Sequence, residues 1–229
     1  MTSLRGWVVA AAALAGSAQA ADLNFASVSS SGTLLFQTVR DGATLNASAN
    51  FVLTALTATS ATFNVTIANN SSGPGQNTLT ALGIDVVSPT LTGVTDTSGT
   101  WDSVLNDTLP TLKRVDLCVY TSNGCSGGDI GDGMAEGGSS SFRMTLTTAG
   151  NFTTNGVTFT SPYGAKFQGV GNTGKSYEFA GCISGTTGCG GGGGGGQNQV
   201  PEPGSVFLAG LALLGMGTAT AMRRRPRAA

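Results

Sequence analysis

Thr62-Phe63-Asn64-Val65-Thr66-Ile67 alternates polar and apolar residues with period two. Successive side chains of a strand point to opposite faces, so Phe63, Val65 and Ile67 share one side of a sheet. The same pattern returns at Val115, Leu117 and Val119, set between Arg114, Asp116 and Cys118, and at Phe142, Met144 and Leu146, set between Arg143, Thr145 and Thr147. Thr33–Val39, Phe51–Thr57, Leu79–Val87, Tyr163–Gly169 and Ser176–Ala180 are further strand candidates. Turn chemistry separates them: Asn69-Asn70-Ser71-Ser72-Gly73-Pro74-Gly75, Ser88-Pro89, Asn123-Gly124 and Asn155-Gly156. No stretch keeps a helical period. About eight or nine strands are expected, enough for one buried core in a single antiparallel β-sandwich, Ig-like or jelly-roll, over residues 21–189.

Composition agrees with an exported all-β chain. Of 229 residues, 36 are Gly and 7 are Pro, and only 10% are charged. The chain has no His, which removes the commonest general base and the commonest metal ligand. Ser-His-Asp and Cys-His catalysis, His-bound zinc and His-bound haem are excluded within it. Between Ala21 and Pro203, twelve acids face six bases (Arg40, Lys113, Arg114, Arg143, Lys166, Lys175) and form no basic stripe, so nucleic acid is not an expected partner.

Both ends read as addresses. Met1–Ala20 has a cation at Arg5, an apolar run from Trp7 to Leu14 and the small-x-small site Ala18-Gln19-Ala20. That is a secretory signal, cut between Ala20 and Ala21 by signal peptidase after engagement of the secretion machinery. At the other end, residues 204–222 carry no charge. As a helix they would reach about 28 Å, close to the hydrocarbon thickness of a bilayer. Arg223-Arg224-Arg225 follows, part of a basic tail at 223–229 expected to stay cytoplasmic. The span is rich in Gly, Ala and Thr, which suits a temporary hold in the inner membrane; a permanent anchor is the alternative. Before it stands Val200-Pro201-Glu202-Pro203, which two prolines keep extended and open to a processing enzyme. Seven consecutive glycines, 190–196, and Gln197-Asn198-Gln199 form a flexible linker over 190–199 with a reach of about 17 Å.

This order of Val-Pro-Glu-Pro, apolar span and terminal Arg cluster resembles the PEP-CTERM sorting signal over residues 200–229. The resemblance implies an exported substrate of exosortase, a membrane transpeptidase-like enzyme of Gram-negative bacteria. It also implies release to the cell surface or extracellular matrix, in a setting of exopolysaccharide and biofilm production. Pro201, Glu202 and Pro203 become the recognition residues. The Cys118–Cys125 segment is similar to a Cys-paired subgroup, the cistern family.

The four cysteines form two equally spaced pairs, Cys118-x6-Cys125 and Cys182-x6-Cys189. An oxidising compartment makes disulfides the default, and four cysteines allow three pairings. The turns at Asn123-Gly124 and Gly185 favour the local ones, as clips on loops. Spacing argues against a four-thiolate zinc site.

Three further stretches carry the letters of known chemistries. Gly169-Val170-Gly171-Asn172-Thr173-Gly174-Lys175-Ser176 matches a P-loop by letters, but strand-like Tyr177–Gly181 follows where a helix is needed, so a glycine-rich hairpin is expected. Asp129, Asp132 and Glu136 make an acidic loop with oxygens for Ca²⁺ in principle, but without EF-hand or β-roll spacing. Asn46, Asn64, Asn69, Asn70, Asn106 and Asn151 begin Asn-x-Ser/Thr triplets expected from a Thr-rich strand composition.

The expectation is a non-enzymatic surface or matrix protein without cofactor or catalytic residues. A carbohydrate- or surface-ligand-binding module is the alternative, with Trp101, Tyr120 and Tyr163 as exposed-type aromatics. A carboxylate-pair glycosidase drawn from Asp85, Asp96, Asp102, Asp107 and Asp116 is a third reading.

Overall fold

The computed structural model describes residues 22–97, 99–186 and 189. The signal-peptide site at Ala20 and Ala21, the glycine linker, Val200–Pro203, the span at 204–222 and Arg223–Arg225 lie outside them. No helix among the described residues is long and apolar enough to cross a membrane.

Among the described residues twelve strands run β1 (Leu23–Phe25), β2 (Ser31–Arg40), β3 (Ala43–Leu56), β4 (Ser60–Asn69), β5 (Gly75–Ser88), β6 (Leu91–Asp96), β7 (Asp102–Leu109), β8 (Lys113–Tyr120), β9 (Ser139–Thr148), β10 (Val157–Val170), β11 (Lys175–Ala180) and β12 (Cys182–Ile183). One four-residue helix, α1 (Phe152–Asn155), links β9 to β10. The first sheet has the order β1-β10-β5-β8-β7, with β11 also paired to β10; the second has β12-β2-β3-β4-β9-β6. Every pairing is antiparallel. The expected sandwich is therefore present. The strands β1, β6, β7 and β12 escaped the sequence reading, because each is short or mixed in polarity and carries no clear alternation.

The period-two residues do form the core. Phe63, Val65 and Ile67 are fully buried, as are Leu117, Val119, Met144 and Leu146. Phe25 and Phe159 of the first sheet meet Phe51 and Phe63 of the second. Edge-to-face contacts join them, at 5.0 Å for Phe25–Phe63 and 5.2 Å for Phe51–Phe159. Each buried phenyl contributes about 1.5–3 kcal/mol by removal from water, and the edge contacts add to that.

The two outer faces differ. In the first sheet, β5 is buried on both faces from Asn77 to Ile84, and β10 from Tyr163 to Phe167. The β7–β8 turn and the loop after β8 fold across it. Leu109, Ala81, Val115, Cys118 and Cys125 form a second small core there. Gly83 and Gly164 make room: a Cβ on either would come within 2.6 and 2.4 Å of the Leu109 Cδ1 methyl. The second sheet instead turns a Thr/Ser/Asn face outward, and its hydroxyls pair across strands, Thr62 with Thr145 at 3.1 Å and Thr66 with Ser141 at 2.8 Å.

Candidate functional site

Both disulfides follow the local pairing, Cys118–Cys125 and Cys182–Cys189. The first departs from the expected loop clip. Cys118 lies within β8, both residues are fully buried, and their sulfurs belong to the second core. The second joins β12, which pairs with Leu34 and Leu35 of β2, to the residue just before the glycine run. No free cysteine stands among the described residues, so none offers a thiolate to zinc. An Asp107 oxygen lies within 4.8 Å of the Cys118 and Cys125 sulfurs. The Asp107 carboxylate is nevertheless engaged, accepting the Cys125 amide at 2.7 Å and the Thr108 amide at 2.7 Å.

Three more of the candidate carboxylates also serve the backbone. Asp116 accepts the Val86 amide at 2.9 Å, Asp85 the Asp116 amide at 3.3 Å, and Asp96 the Ser103 amide at 2.9 Å. Burial, then the neighbouring Asp116 charge, raises the Asp85 pKa above the usual carboxylate value. Burial also raises that of Asp96, with the Asp102 charge adding to it. Asp116 borders a pocket of about 110 Å³ with Val86, Thr90, Leu91 and Asn106, smaller than the volumes that hold a ligand of several rings.

The aromatic expectation is corrected. Trp101 is 0% exposed and Tyr163 is 2% exposed, so neither offers a stacking platform. The Tyr163 hydroxyl donates to the Phe159 carbonyl at 2.9 Å, and burial pushes its pKa up. Tyr120 is half-buried, packed on the second core, and burial followed by the charges of Asp102, Asp96 and Asp107 raises its pKa. Apolar rings in a thin sandwich are drawn inward, whatever their polar handles.

The acidic loop is spread out. Asp129 caps the 3-10 turn Ile130–Asp132 by accepting the Gly131 amide at 2.9 Å, and Glu136 accepts the Asn77 side-chain amide at 2.6 Å. These carboxylates do not bring three ligand atoms within 4.8 Å of one another. The P-loop letters form the β10–β11 hairpin, a 3-10 turn at Gly171–Thr173 leading into β11. Its amides are used within the fold: Gly171 donates to Asn77 Oδ1 and Asn172 to the Asp41 carbonyl. Of the Asn-x-Ser/Thr positions, Asn69 is buried and donates to the Asn77 and Met134 carbonyls.

Two polar clusters carry no local sequence signal. Lys166 and Glu178 form a buried ion pair, and Asp41 accepts hydroxyls from Thr173 and Tyr177. Both depend on which strands become neighbours, and the Asp41 cluster joins residues 132 and 136 positions apart.

The surface left open is the outward side of the second sheet. Asn64, Thr66, Ser141 and Arg143 floor an open groove of about 600 Å³, walled by Thr97 and Thr100 of the β6–β7 connection. The Thr97 amide donates to the Arg143 carbonyl at 3.0 Å, seating that wall on β9.

These features define a disulfide-stapled antiparallel β-sandwich protein with one covered and one polar, open face. The family model described as the PEP-CTERM protein-sorting motif matches residues 199–225, which contain Val200–Pro203, the apolar stretch and Arg223–Arg225. The chain thus carries the sorting signal of an exported exosortase substrate, and the match is confined to those residues. No curated protein and no solved structure matches the chain.

Proposed function

We propose that the protein is a non-enzymatic component of the cell surface or extracellular matrix, associated with exopolysaccharide and biofilm. A signal peptide takes it through the secretion machinery, the 204–222 span holds it briefly in the inner membrane, and exosortase processing releases the sandwich. The observation that carries this reading is the sorting motif at 199–225, standing behind a glycine run and a disulfide-stapled domain. The His-free composition supports a non-catalytic role, as does the use of Asp85, Asp96, Asp107 and Asp116 as acceptors for backbone amides.

Replacing Pro201-Glu202-Pro203 by alanines in the native host tests it. Intact mass of the released protein should drop out, with an uncleaved form accumulating in the inner membrane. Normal release of that variant would overturn the proposal. The carbohydrate-binding alternative draws its support from the polar face of the second sheet rather than from aromatics.

A further inference from the structure

The outward positions of β2, β3, β4 and β9 are Thr, Ser, Asn and Gln with the apolar Leu35, Val39, Val52 and Ala68, and Arg143 is the one ionisable side chain among them. Arg143 is exposed and makes no ion pair among the described residues. It stands opposite Asn64 and beside the Thr66–Ser141 hydroxyl pair, in the groove walled by Thr97 and Thr100.

We propose that this groove binds a carboxylated polysaccharide, with a uronate carboxylate on the Arg143 guanidinium and sugar hydroxyls on Asn64, Thr66 and Ser141. The proposal rests on the carbohydrate-binding reading of the sandwich. A guanidinium presents a planar fork of donors that fits a carboxylate through two parallel hydrogen bonds. Hydroxyl and amide side chains both donate and accept, as sugar hydroxyls do. No acid occupies an outward position of β2, β3, β4 or β9, so a polyanion meets Arg143 and no like charge along those strands. Among the described residues the one aromatic lining the groove is Phe142, whose ring packs in the core at 6% exposure and offers sugars no stacking face. Charge and hydrogen bonding repeated along a polymer must supply the affinity.

Calorimetry of the full chain in detergent micelles against polygalacturonate oligomers tests it, with dextran oligomers as the neutral probe. Binding should weaken about tenfold in Arg143→Gln, recover only in part in Arg143→Lys, which restores the charge but not the planar fork, and fall as salt rises. Because Arg143 is exposed, neither change should alter the unfolding midpoint, which is measured alongside. Unchanged binding in Arg143→Gln, equal affinity for dextran, or no heat at millimolar oligomer would each overturn the groove assignment. Chain length of the oligomer after incubation reads the broader reading separately: shortening would sink the non-enzymatic proposal, while Arg143 dependence still decides the groove.

Discussion

Lys166 Nζ donates to Glu178 Oε1 at 2.9 Å, and the two residues face each other directly across β10 and β11. Their side chains are only 8% and 4% exposed. Glu178 Oε2 also accepts the Thr111 amide at 2.6 Å and its hydroxyl at 2.7 Å, so one carboxylate ties the hairpin to the β7–β8 turn. Removing one partner leaves a charge in a site closed to water. Lys166→Met or Glu178→Leu alone should therefore cost about 3–5 kcal/mol, and the double variant should recover most of the loss. Urea unfolding of the three variants measures it; additive losses would show that the pair is not coupled.

The acid limb of stability should depend on Glu178. Burial works to raise its pKa, but the Thr111 amide and hydroxyl and the Lys166 ammonium outweigh it, and the net shift is downward. Asp41 is also lowered, first by the Thr173 hydroxyl and then by that of Tyr177. A carboxylate with a depressed folded pKa contributes stability above its unfolded pKa and loses it as pH falls through the folded value. Unfolding free energy should thus fall below the ordinary carboxylate pKa of about 4, and fall less steeply in Glu178→Gln.

Asp85 carries the opposite sign. Its pKa is raised by burial and by Asp116, so its charged form opposes folding near neutrality. Asp85→Asn, which keeps an oxygen for the Asp116 amide, should be more stable than the parent at pH 7. Protonation of Asp85 should erase that advantage as the pH drops. A parallel offset at all pH values would contradict the assigned cause.

Removing the Cys118–Cys125 bridge by paired alanines should cost about 2 kcal/mol through loop closure alone, and more from the loss of the second core around Leu109 and Val115. Cys182 and Cys189 are half-buried, whereas Cys118 and Cys125 are enclosed. Under mild reductant, alkylation followed by mass measurement should therefore label Cys182 and Cys189 first.

Two glycines should respond differently to alanine. At Gly75, φ is +95°, and a Cβ would lie 2.5 Å from the Gly169 carbonyl oxygen and 2.6 Å from the Gly171 amide nitrogen. Backbone atoms cannot yield, so Gly75→Ala should cost at least about 2 kcal/mol. Gly164→Ala meets the Leu109 and Leu112 methyls at 2.4 and 2.7 Å. These can shift, which limits the loss to about 1 kcal/mol, and Leu109→Ala should partly relieve it. Thermal unfolding of the three variants gives the order.

Periodicity made much of the sandwich legible. The residues Phe63, Val65 and Ile67, with Leu117 and Val119 of β8 and Phe142, Met144 and Leu146 of β9, share the main core as alternation placed them, whereas Val115 joins the second core beside Cys118. Local chemistry foretold the Asn123-Gly124 turn, where both residues take positive φ, and a break at Asn155-Gly156, where Gly156 ends the short helix α1 that no periodicity announced. Strand β6, in contrast, is Leu-Thr-Gly-Val-Thr-Asp, all partly exposed, and it is a strand because β9 offers it an open edge.

The amino-acid order alone set the all-β class, the local cysteine pairs and the C-terminal sorting motif, because alternation, short-loop closure and a linear signal are all read within a few neighbouring residues. Three-dimensional packing settled which outer face is covered, why Trp101 and Tyr163 are interior, how Lys166 finds Glu178, and that Arg143 stands alone on a hydroxyl-lined groove. A period of two says which side chains share a face. What lies against that face is set by loops arriving from far along the chain, and their energies are paid only when the sheets close.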